Sequence, residues 1–76
     1  MKSGIEQIVG KTITGVVEIS RESSPRQQLW LTFSDGTRYE FYSTSADIHA
    51  TGGAIKGPVR AGDGKIVFKT GNPEIE

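Results

Sequence analysis

The side chains best suited to chemistry in this chain are few and scattered. The sole histidine, His49, stands two residues after Asp47. That pair offers two metal ligands, whereas a site needs three or four converging groups. Asp35 and Asp63 each precede a glycine, a setting in which aspartate serves the backbone of a turn. No nucleophile or orienting partner is spaced to make His49 a general base.

Two glycine patterns invite a phosphate reading. Gly4-Ile5-Glu6-Gln7-Ile8-Val9-Gly10-Lys11-Thr12 has five residues between its glycines, where the phosphate-binding loop has four. No strand precedes it, and its middle reads as an amphipathic helix. From Gly52 to Gly64 there are five glycines and Pro58, with Lys56, Arg60 and Lys65 close by. Backbone N–H groups beside cations can hold an anion, yet tight turns explain these glycines more simply. The residues therefore name no catalytic group, cofactor or metal, and the chain is expected not to be an enzyme.

Recognition is the stronger chemistry. Trp30, Tyr42 and Arg38 are of the types enriched at binding hot spots, and aromatic rings beside arginine also stack on nucleobases. Whether they share a surface depends on one turn. Leu29, Leu31 and Phe33 alternate with Trp30 and Thr32; beyond the turn, Tyr39 and Phe41 alternate with Arg38, Glu40 and Tyr42. A two-residue loop at Asp35-Gly36 sets Phe33 against Arg38 and Leu31 against Glu40. A three-residue loop, Ser34-Asp35-Gly36, sets Leu31 against Tyr39 and Leu29 against Phe41, and it wants glycine in the left-handed position that Gly36 fills. The second register predicts a core face of Leu29, Leu31, Phe33, Tyr39 and Phe41. Its opposite face then carries Trp30, Thr32, Arg38, Glu40 and Tyr42, with Val16 joining them from a neighbouring strand. That face is the candidate binding surface, unless the helix, the tail or the segment after Tyr42 folds over it.

Other elements must frame this hairpin. Ser3 and Glu6 have the spacing of a capping box, and Ile5, Ile8 and Val9 share one helical face that Gly10 ends. Residues 12–19 are rich in β-branched types and read as a strand, with Ile13, Gly15, Val17 and Ile19 on one side; Gly15 marks a bulge or a close backbone approach. Residues 20–27 read as a polar loop. Residues 43–54 suit either a helical turn through Ala46, Asp47 and Ile48 or an ordered loop with Ile48 tucked inward. A second hairpin is expected to turn near Asp63, joining residues 59–61 to 65–69. Residues 1–70 then make one domain and 71–76 a fraying tail.

The fold class expected is α+β, mostly β: a short N-terminal helix on a curved antiparallel sheet of four to five strands, with a small SH3-like barrel as the alternative. The hairpin run is accounted for by hairpin physics alone and names no family. The 76 residues carry nine basic and nine acidic side chains, for zero net charge. That balance argues against duplex nucleic acid and anionic membranes, which need clustered cations. No signal peptide or membrane span is legible, so a cytoplasmic location is expected. A chain this short, without cysteine, has little stability to spare. The functional expectation is a non-enzymatic protein-interaction or self-association module, with a homodimer as one form; a single-stranded nucleic-acid binder is the first alternative and a small enzyme or anion-binding protein the last.

Overall fold

A computed structural model describes residues 4–23, 25–43, 47–50 and 52–76. After a 3-10 helix, Ile5–Ile8, come β1 (Ile13–Ser20), β2 (Gln27–Phe33), β3 (Thr37–Ser43), β4 (Ile48–Ala50), β5 (Ile55–Lys56) and β6 (Lys65–Gly71). They form one antiparallel sheet in the order β4-β3-β2-β1-β6, with β5 also pairing β3. The sheet is open, so the barrel alternative does not describe it. The molecule is a slab measuring 32 × 31 × 16 Å. A sheet and the layer packed on it sit ~10 Å apart, so a slab this thin has room for a second layer over one face only.

The helical expectation shrinks to that single 3-10 stretch of four residues. Gly4 stands at its start without a side-chain cap; the capping role read for Ser3 falls outside the described residues. Gly10 follows in the left-handed region, at φ 82°, as expected of a stop. Gln7 ties the helix to the chain beyond β4: its side-chain oxygen accepts from the N–H of Ala54 at 3.1 Å.

The central hairpin follows the three-residue register. Leu29 faces Phe41, Trp30 faces Glu40, Leu31 faces Tyr39 and Thr32 faces Arg38. Gly36 adopts φ 86°, and its N–H donates to the carbonyl of Phe33 at 3.1 Å. Asp35 accepts from the N–H and the hydroxyl of Thr37 and forms an ion pair with Lys11. The Lys11 ammonium, followed by the Thr37 donors, holds the Asp35 carboxyl well below the usual carboxylate range.

Four expectations outside the hairpin change. Residues 48–50 are a strand on the free edge of β3 rather than a turn or loop, and Ile48 is 81% exposed rather than tucked inward; residues 44–46 lie outside the described residues. The second hairpin does not form: β6 crosses to pair with β1, and Val59 bridges in parallel to Ile75. Nor do residues 71–76 make a loose tail. Val59 donates to the carbonyl of Glu74 at 2.8 Å, Glu76 to Val59 at 2.7 Å and Ala61 to Glu76 at 3.1 Å. The bulge read at Gly15 is present, since Ile13 faces Phe33 while Gly15 faces Thr32. It swings Ile13 to the side opposite Val17 and Ile19, where it is 54% exposed. A Cβ on Gly15 would meet the Thr32 hydroxyl at 2.7 Å and Pro73 at 2.9 Å.

Candidate functional site

The face expected to be open carries a closed core of its own, and β1 is the reason. Val17 stands opposite Trp30 and Ile19 opposite Gln28, so the apolar side of β1 joins Trp30's face; Val16 stands opposite Leu31 on the other. A one-residue offset in such a pairing moves every side chain across the sheet. Val17, Ile19, Trp30, Val59 and Ala61 form the core cluster, with Ile75 packed against it. Segments 59–61 and 74–76 therefore cover Trp30, which is 5% exposed.

Of the six residues assigned to a binding face, Trp30 and Thr32 are buried, Arg38, Glu40 and Tyr42 are half-buried, and Val16 belongs to the opposite side. The Arg38 guanidinium lies 4.9 Å from the Trp30 ring centre, where the ring's negative face attracts it. Trp30 Nε1 and Arg38 Nε are buried without hydrogen-bond partners among the described residues. Tyr42 stacks on His49, ring centres 5.4 Å apart. A base cannot stack on Trp30 while this core is closed.

Arg21, read only as loop, fastens the cover. It donates to Gln28 Oε1 at 2.6 Å, to Asp63 Oδ1 at 2.6 Å and to the carbonyl of Ala61 at 2.7 Å. Gln28 in turn donates to Glu40. A chain of polar contacts thus runs from the 61–63 turn across β2 to β3.

The other face is closed at one end and open at the other. Toward the hairpin turn, Tyr39 and Phe33 are buried, as expected of a core face. Lys11 lies over the Phe33 ring, 5.8 Å from its centre. Away from the turn, Ala50, Phe41, Leu29, Glu18 and Phe68 stand opposite one another in succession from β4 to β6. Leu29 is 38% exposed and Phe68 52%. A depression of about 290 Å³ opens there, lined by Glu18, Gln27, Leu29, Phe41, Ser43 and Ile48 among others.

This open end runs into β6, the outermost strand. All seven of its residues are exposed, including Ile66, Val67 and Phe68, and among the described residues only its β1 side is paired. The sequence marks these residues as apolar, but nothing local marks their strand as the edge. Val67 is an extra residue, since Glu18 faces Phe68 while Ile19 faces Ile66.

The remaining candidates do not converge. Among the described residues no three His, Cys, Asp or Glu side chains come together. In the glycine-rich stretch, the N–H of Gly57 is bonded to Gly36 and that of Gly64 to Ala61, and Arg60 pairs with Glu76 at 3.3 Å. A polar hollow of about 450 Å³ is lined by Thr14, Thr32, Thr37, Asn72 and Glu74 among others. Among the described residues no helix is long and apolar enough to cross a membrane. Compared with protein-family models, with curated proteins and with solved structures, the chain finds no match.

Proposed function

We propose that this chain is a non-enzymatic protein-interaction module whose contact surface is the outer edge of β6 with the adjoining open face around Leu29 and Phe41. The observation that supports this reading is the state of β6: seven residues long, paired on one side among the described residues, exposed throughout, and carrying Ile66, Val67 and Phe68. An edge of unpaired N–H and C=O groups is a template for another strand, and contiguous exposed apolar surface marks an interaction site. Strand addition draws affinity from the main chain and selectivity from alternate side chains. Zero net charge favours a protein over a polyanion.

The absence of cysteine permits a clean test. A single cysteine bearing a photoreactive group replaces Val67 in one variant and exposed Glu22 in another. In host extract the Val67 site is expected to give a saturable adduct and the Glu22 site none. Equal labelling at both sites, or none at either, contradicts the reading.

A further inference from the structure

A second copy of β6 is a poor partner for this edge. Antiparallel pairing of two β6 strands about a two-fold axis at Lys69 sets Lys69 against Lys69, and like charges directly opposite are destabilising. An axis at Val67 sets Lys65 against Lys69, and an axis at Phe68 sets Ile66 against Thr70. Lys65 shares the face of Ser20 and Lys69 that of Val17, Ile66 that of Ile19 and Thr70 that of Val16, so the bulge points the members of each pair to opposite sides and they cannot be cross-strand neighbours. Axes nearer either end leave an overlap of three residues within the strand. The register in which the faces do match, Lys65 against Thr70 and Ile66 against Lys69, offers neither lysine a carboxylate.

The features that disfavour a second β6 define what the strand accepts. Lys65 stands opposite Ser20 and Lys69 opposite Val17, which presents one ammonium on each face of the sheet. Neither is held in an ion pair among the described residues. Between them lie the exposed Ile66, Val67 and Phe68. We infer that the partner of β6 is an extended segment of another protein with acidic side chains flanking apolar ones. Its carboxylates meet Lys65 and Lys69, and its main chain completes the ladder. This inference rests on β6 being the contact strand.

The probes are two nine-residue peptides, one with Ile-Val between two glutamates, the spacing that the extra Val67 requires of a regular partner, and its twin with lysines in their place. Each is titrated into the full chain at low ionic strength, following backbone amide resonances. The acidic peptide is expected to shift the amides of β6 and to bind roughly tenfold more tightly than its twin. A chain carrying Lys65→Glu and Lys69→Glu is expected to reverse that order. Both lysines are exposed, so the fold should survive, which circular dichroism checks. Equal binding of the two peptides overturns the acidic preference and leaves β6 as the contact strand. Binding by neither at millimolar peptide overturns the inference. So does a dimer of the wild-type chain in solution whose Val67→Cys variant cross-links at that position, which makes a second copy the occupant. Slow exchange of every β6 amide in the isolated monomer removes both the inference and the reading beneath it.

Discussion

Asp35 shows how much of a turn one side chain can hold. Its carboxylate accepts from Lys11 and from the hydroxyl and N–H of Thr37, and these donors depress its pKa. A depressed carboxyl stabilises the fold above its unfolded pKa of ~4, and the stabilisation is lost as pH falls through the lower folded value. Wild type and Asp35→Asn are therefore expected to differ in stability at neutral pH and to converge only in strong acid. Denaturant titrations across that range check it, and a constant gap between the two would contradict it. This turn was legible because its signals are local: Asp35-Gly36, and an alternation that only a three-residue loop satisfies. The side taken by Trp30 was not legible, because it is set by β1 lying with Val17 opposite Trp30.

At the scale of elements, the cover over Trp30 depends on chain that looks dispensable. Residues 74–76 supply three backbone hydrogen bonds to Val59 and Ala61, and Ile75 packs on the core. At about 1 kcal/mol per hydrogen bond, their loss takes a large share of the ~5 kcal/mol expected of a small domain. Ending the chain after Pro73 is expected to shift Trp30 emission to the red and to lower the melting temperature by about 10 °C or more. Unchanged emission would show that the segment is not the cover. The sequence hid this element because Glu74-Ile75-Glu76 has no strand signature of its own, and its pairing with Val59 is fixed by where β6 delivers it. For the same reason Lys65–Gly71 was readable as a strand but not as the partner of β1.

The whole molecule is a sheet with one closed face, one half-open face and one long free edge. The core the sequence assigned to Leu29, Leu31, Phe33, Tyr39 and Phe41 is divided: Phe33 and Tyr39 are buried, Leu31 and Phe41 half-buried, and Leu29 exposed. A second core holds Trp30. A thin slab cannot cover both faces, so the available surface lies at Leu29, Ile48 and β6, away from Trp30. The direct test is residue-resolved relaxation enhancement from a soluble paramagnetic probe, recorded on the dilute chain. Strong broadening is expected at Phe68, Ile48 and Leu29, with little at Val17, Ile19 and the Trp30 indole. A Trp30 indole broadened as strongly as Phe68 would contradict the assignment of the faces, and with it the proposed contact surface.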